Sequence, residues 1–199
     1  EKSYEELDLL KIYDNDMRCP NFELANKMKE YVLNIKEKGD SLGGCISTII
    51  KGVGPGLGEP LYNKLNARIS FAIMSINAVK GIEFGLGFDS YKLKGSEYND
   101  VFVKRDEKIE TVTNNCGGIQ GGISNGQDIV FKAVFKPTSS IKKRQKTVNN
   151  KGEEVVFLNS GRHDPCVLPR AVPVVESMTA ISLIDMYLLN LSSKIDNLY

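Results

Sequence analysis

Residues 128–136 read DIVFKAVFK, with Ile129, Phe131, Ala133 and Phe135 on every second position. Strand side chains alternate between two faces, so this spacing predicts a strand with one apolar face. That face needs a cover, and apolar positions at helical spacing occur on both sides of it. Upstream, Ala25, Met28, Val32 and Ile35 recur at three and four through 22–38. Asn21 after Pro20 supplies a cap and Gly39 a stop. Leu61, Leu65, Ile69, Ile73 and Ile76 line a second predicted helix over 60–79, with Gly81 just beyond it. Downstream, Met178, Ile181, Ile184, Leu188 and Leu191 form the apolar stripe expected for a helix over 173–192. Further short strands are expected at 42–53, 88–94 and 153–158. The stretch 95–127 reads as mostly loop, and 137–152 as a basic loop. Strands and helices mix without strict alternation. The expected fold class is therefore α+β, antiparallel sheet with helices packed on it. No tandem repeat, low-complexity tract or proline-rich linker divides the chain, so residues 1–199 are read as one domain or part of one.

Composition narrows the function classes. The 199 residues carry 26 Lys plus Arg against 25 Asp plus Glu, a net charge of +1. Hydrophobic residues make up 41% and charged residues 26%, which excludes a wholly disordered or collagen-like chain. The balance argues against a general nucleic-acid binder, which shows a basic excess. No uncharged apolar stretch approaches the ~18 residues of a membrane span. The first residues, EKSYEELDLLKIYDNDMR, have no apolar signal core, so a secretory leader is not expected. The chain also starts without Met, which hints at processing or at a chain cut from something longer. Cys19, Cys45, Cys116 and Cys166 lie far apart. Neither a zinc site nor a disulfide framework is expected, and no metal is assigned.

Five segments could carry chemistry. Gly52, Gly54, Gly56 and Gly58 sit in a turn, but Glu59 breaks the dinucleotide pattern and no P-loop occurs. The block Asn115–Gly126 has glycine at five of its positions (117, 118, 121, 122 and 126). It reads equally as an amide nest for an anion or flat ring and as a mobile surface loop. Lys136-Pro137-Thr138-Ser139-Ser140 ends the strand with one charge and three hydroxyls, donors suited to phosphate. An ordinary polar turn is the simpler reading there. The run Lys142, Lys143, Arg144 and Lys146 is a solvated loop without the aromatic platform that RNA binding uses. Lastly, Arg162-His163-Asp164 brings a guanidinium fork, an imidazole and a carboxylate to one turn. Arginine fits carboxylate and phosphate, and Asp can act as base or acceptor. Consecutive side chains point different ways, so they form no catalytic triad alone.

The sequence resembles the chorismate synthase family over Arg18 to about Leu191. GRHDPCVLPRAVPVVESM at 161–178 is similar to the family's C-terminal signature. GLGEPLYNKLNARISFAIMSINAVKGIEFGLGF at 56–88, NNCGGIQGGISNG at 114–126 and FKPTSSI at 135–141 resemble further blocks, in the family's order. RCPNFELANKMKEYVLNIKEKGDSLGG at 18–44 fits as well. Only the C-terminal half of the family pattern is present. The serine-histidine-glycine block and the arginine-rich serine block are missing, with the family's two catalytic histidines, and His163 is not one of them. The resemblance implies a β-α-β sandwich, antiparallel sheets with helices packed between, of which about one half is present. It implies conversion of 5-enolpyruvylshikimate 3-phosphate to chorismate and phosphate with reduced FMN and no net redox change. Asn77, Ala78 and Gly121 would line the flavin, and Lys136, Pro137, Thr138, Ser139 and Ser140 would hold its phosphate end or ring edge. Arg162 would meet flavin and anionic substrate. Asp164 would assist proton removal at flavin N5. The resemblance further implies a cytoplasmic homotetramer without nucleic-acid or membrane partners, and NADPH only if the enzyme is bifunctional. The alternative is a non-catalytic fragment or flavin- or phosphate-binding module that lacks those histidines.

Overall fold

Asn21 caps the first helix as predicted: its side-chain oxygen accepts from the Leu24 N–H at 3.0 Å. The computed structural model describes residues 4–193. Helix α1 spans Phe22–Glu37 and stops before Gly39, whose φ is +69°. Strand β1 follows at Gly44–Ile50, then α2 at Leu65–Met74, β2 at Val79–Phe84 and a short α3 at Gly95–Tyr98. Four short strands come next: β3 (Phe102–Arg105), β4 (Lys108–Thr111), β5 (Ile119–Gln120) and β6 (Ile123–Ser124). The chain closes with β7 (Ile129–Phe135), β8 (Arg144–Val148), β9 (Glu154–Leu158) and α4 (Leu168–Ser192). The class is α+β, as expected, with short antiparallel hairpins and helices.

The chain divides into two compact units, 1–44 with 135–172 and 45–134 with 173–199. The second contains most of a three-stranded sheet in the order β1-β7-β2. On β7, Ile129, Phe131 and Ala133 are fully buried, the face the alternation predicts. Leu65, Ile69 and Ile73 of α2 are likewise fully buried. Phe84 tilts against Phe131 with ring centroids 5.7 Å apart. Arg68 of α2 pairs with Asp185 of α4 at 2.6 Å. In the first unit, β8 and β9 form an antiparallel hairpin, and Phe135 and Ala171 are buried.

Several elements depart from the expectation. Helix α2 is shorter than 60–79: Leu61 stands exposed before it, and the chain turns after Ser75 to form β2, which the sequence reading did not anticipate. Residues 87–92 form a 3-10 turn rather than a strand, because the Glu83 carboxylate accepts from the Phe88 N–H and curls the segment. The 95–127 stretch contains α3 and two antiparallel hairpins, β3–β4 and β5–β6. About a third of the expected basic loop is β8, whose residues are exposed or half-buried and so leave no burial pattern to read.

Helix α4 differs most. It starts five residues before the predicted position, with Pro173 tolerated near its beginning. Its buried line is Ala171, Val175, Thr179, Ser182 and Met186, whereas the predicted stripe positions Ile181, Ile184, Leu188 and Leu191 are exposed. Thr179 and Ser182 satisfy their hydroxyls on the carbonyls of Val175 and Met178. By length and composition alone this helix is long and apolar enough to cross a membrane, but it carries Arg170, Glu176 and Asp185 and so is not an uncharged run.

Candidate active site

In the first unit, three chain segments meet just beyond the end of α1. The Leu42 N–H donates to the Pro165 carbonyl at 2.7 Å, and Leu42 bridges Cys166 in parallel. The Ser41 hydroxyl donates to the Thr138 carbonyl at 2.7 Å. On the other side, the Lys142 N–H donates to the Gly39 carbonyl at 2.8 Å, and Lys143 pairs with Asp40 at 2.6 Å. The segments lie so close that a Cβ on Gly43 would strike the Phe135 carbonyl and the backbone at Lys136 and Pro137. This packing sets the strand-end segment Lys136–Ser140 beside the turn that carries Arg162 and Asp164.

Within that junction the predicted residues have distinct surroundings. The Thr138 hydroxyl donates to the Asp164 carbonyl at 2.9 Å, so it frames the turn instead of standing free as a donor. The Asp164 carboxylate pairs with Arg170 Nη1 at 2.9 Å. Lys136 is exposed, its ammonium donating weakly at 3.4 Å to the carbonyl of its neighbour Pro137. Pro137 and Ser139 are exposed and Ser140 is half-buried. Arg162 is exposed and has no ion pair or hydrogen bond among the described residues. His163 is half-buried, with Nε2 enclosed and unpartnered among the described residues.

The remaining predicted residues lie in the second unit, at the two ends of α2. Asn77 and Ala78 form the turn from α2 into β2, and Ala78 adopts φ +73°, an unfavourable conformation for a residue with a Cβ. Gly121 sits at the tip of the β5–β6 hairpin, which the Leu65 N–H at the start of α2 holds by donating to the Gly122 carbonyl at 2.7 Å. A ten-residue helix is about 15 Å long, so the two places stand well apart at opposite ends of α2. The glycine block is thus a tight two-residue hairpin turn, with positive φ at Gly121 and Gly122. No atom lies within 4 Å of where a Cβ on Gly121 would stand, so the tip opens onto free space.

Two buried groups hold this block, and sequence reading missed both. The Ser124 hydroxyl donates to the Gly54 carbonyl at 2.7 Å and accepts from the Leu57 N–H at 2.9 Å, pinning the upstream glycine turn to the hairpin. Asp100 is 7% exposed and accepts from the Thr113 hydroxyl at 2.6 Å, and from the N–H groups of Asn115 at 2.7 Å and Cys116 at 2.9 Å. Burial alone would raise the Asp100 pKa. Hydrogen bonds from Cys116, Thr113 and Asn115 outweigh it and hold the carboxyl below its ordinary value. Burial first, then the Asp100 hydrogen bond, pushes the Cys116 thiol up to about 11. Arg170 was also missed, because only the fold brings it back to Asp164.

In the first unit, the exposed cations Lys136 and Arg162 stand with a carboxylate held by Arg170, an arrangement suited to an anionic ligand; in the second, the glycine tip is open. Taken unit by unit, the chemistry fits parts of FMN: the cations of the first unit suit its phosphate, and the uncluttered backbone at Gly121 in the second suits a flat ring.

The chorismate synthase family profile matches residues 4–188. Chorismate synthase of Christiangramia forsetii is 53% identical over 194 residues, covering 98% of this chain and 54% of that protein. The Phocaeicola vulgatus chorismate synthase is 50% identical, with 98% of this chain and 54% of that protein covered. The Prochlorococcus marinus chorismate synthase (strain MIT 9215) is 52% identical over 94% of this chain and 52% of its own length. A crystal structure of chorismate synthase superposes with a TM-score of 0.78 at 33% identity, covering 96% of this chain and 52% of that one. The chain belongs to the chorismate synthase family. It spans about half the length of the curated relatives it matches.

Proposed function

We propose that this chain forms the C-terminal part of a chorismate synthase active site, both compact units being parts of one partial domain. The observation that carries the reading is the Asp164 turn: its main-chain carbonyl is held by Thr138 and its carboxylate by Arg170, two residues from an Arg162 that has no partner among the described residues, within the signature stretch 161–178. The substrate is 5-enolpyruvylshikimate 3-phosphate, with two carboxylates and a phosphate. In the reaction the C–O bond to phosphate breaks, a ring C–H gives up its proton, and a new C=C double bond forms. Chorismate and phosphate are the products, with no net oxidation. Reduced FMN, when bound, supplies transient electron density as the phosphate leaves.

Each residue then has a task. Arg162 neutralises substrate anions, and in a water-poor site such a charge acts strongly. Lys136, Pro137, Thr138, Ser139 and Ser140 hold the flavin phosphate or ring edge, Thr138 chiefly through its framing bond. Asn77, Ala78 and Gly121 would line the flavin. Asp164 accepts or relays the departing proton. NADPH enters only if the protein also reduces its own flavin. The native assembly is a cytoplasmic homotetramer, with neither nucleic acid nor membrane as partner.

The experiment uses the native polypeptide carrying these 199 residues, incubated anaerobically with chemically reduced FMN and substrate. Asp164→Asn should lower kcat by about 10²-fold or more while KM changes little. Unchanged turnover in this variant removes Asp164 from the mechanism. Absence of chorismate formation by the parent protein overturns the functional reading.

A further inference from the structure

Asp164 is held at both ends. Its carbonyl accepts from Thr138, which fixes the backbone of the turn. Its carboxylate meets Arg170 Nη1 at 2.9 Å, from the first turn of α4. Helical side chains lean toward the helix N-terminus, so an arginine at the third position of α4 reaches back over the turn that precedes it. The two side chains remain 65% and 32% exposed. An exposed pair of this kind adds little to stability, so its effect falls on where the carboxylate points. Arg162, two residues from Asp164 in sequence, has no such partner among the described residues and remains open to a ligand anion. The two arginines therefore divide the work.

We propose that Arg170 is a positioning residue for Asp164, fixing the orientation of its carboxylate, while Arg162 binds the ligand. This rests on the reading of Asp164 given above. Arginine suits the role because its guanidinium is planar and permanently charged. One nitrogen, Nη1, holds Asp164 Oδ2, and this charged contact restrains where that oxygen lies. Loss of that restraint would leave the group present but misaimed. Small displacements of a reacting group cost rate without costing affinity.

The test compares Arg170→Gln, Arg170→Lys, Asp164→Asn and the Arg170→Gln/Asp164→Asn double variant in the native polypeptide. Three quantities are read: kcat and KM under anaerobic conditions with reduced FMN, and the Kd for reduced FMN. Arg170→Gln should lower kcat about tenfold, with KM and the flavin Kd unchanged within twofold. Arg170→Lys, which keeps the charge, should recover most of the loss. In the Asp164→Asn background, Arg170→Gln should have no further effect, because the group it positions is already disabled. Equal thermal melting across the set excludes misfolding as the cause, and Arg170→Lys remains a valid comparison should Arg170→Gln melt early. The proposal is overturned if Arg170→Gln leaves kcat within twofold. It is equally overturned if the two losses multiply independently, or if the loss appears in KM or flavin Kd. A parent protein that forms no chorismate overturns the functional reading, and this inference with it. An active parent with uncoupled losses overturns only the role of Arg170.

Discussion

Asp100 shows how a single buried side chain shapes the site without belonging to it. Its carboxylate gathers the Thr113 hydroxyl and two N–H groups, and so fixes the approach to the glycine hairpin. Because these bonds hold its pKa below the unfolded value, the stability it contributes is full above about pH 4. That contribution is lost as pH falls through the lowered native pKa. Asp100→Asn should cost about 1–3 kcal/mol at neutral pH and flatten the acid limb of the stability profile. Denaturant melts of parent and variant from pH 7 to pH 2 check this, and parallel acid limbs would contradict it. Nothing in the residue string marked Asp100 as special, since its partners lie 13 to 16 positions away. Arg162 and Asp164 stood out because guanidinium and carboxylate share one short turn. Arg170 did not, because its partner lies on the other side of a turn whose course only the fold reveals.

At the scale of elements, legibility followed burial. Strand β7 has one covered face, and its alternation could be read directly. Helix α1 announced itself through Asn21 and Gly39. By contrast, β8 has no buried face, and β2 begins where the helical pattern was still expected to run. Helix α4 is apolar nearly all round, so its periodicity fixed the element but not its face. The glycine block could be read as nest or loop from composition. Pairing of Ile119 with Ser124 and of Gln120 with Ile123 decides for a hairpin. The junction that carries the Asp164 turn depends on close backbone approach at Gly43. Gly43→Ala should destabilise the protein by about 1–3 kcal/mol, since its methyl would displace the strand-end backbone at Phe135–Pro137. It should also weaken flavin binding, because Lys136 moves with that backbone. A thermal melt with a flavin titration checks both, and an unshifted Tm would contradict the argument.

Across the whole molecule, the chain leaves much apolar surface exposed. Phe71 is 76% exposed, and Ile181, Ile184 and Leu188 of α4 are all more than half exposed. Large exposed apolar side chains in such number favour burial against another surface. The relatives are nearly twice as long, so the remaining length of such an enzyme has these residues available to cover. Expressed alone, the 199-residue chain should self-associate in size-exclusion chromatography and bind a hydrophobic dye. The native polypeptide carrying it should bind the dye much less. A clean, dye-silent monomer of the short chain would contradict this expectation.

The central claim is a redox-neutral elimination at a flavin site to which this chain contributes Asp164, Arg162 and Lys136. Its most direct measurement follows chorismate, phosphate and flavin redox state together, in one anaerobic reaction of the native polypeptide with reduced FMN and 5-enolpyruvylshikimate 3-phosphate. The account predicts one chorismate per phosphate, with the flavin still reduced at the end and no reaction when only oxidised FMN is supplied. Phosphate release without chorismate, or flavin oxidised in step with product, would contradict it.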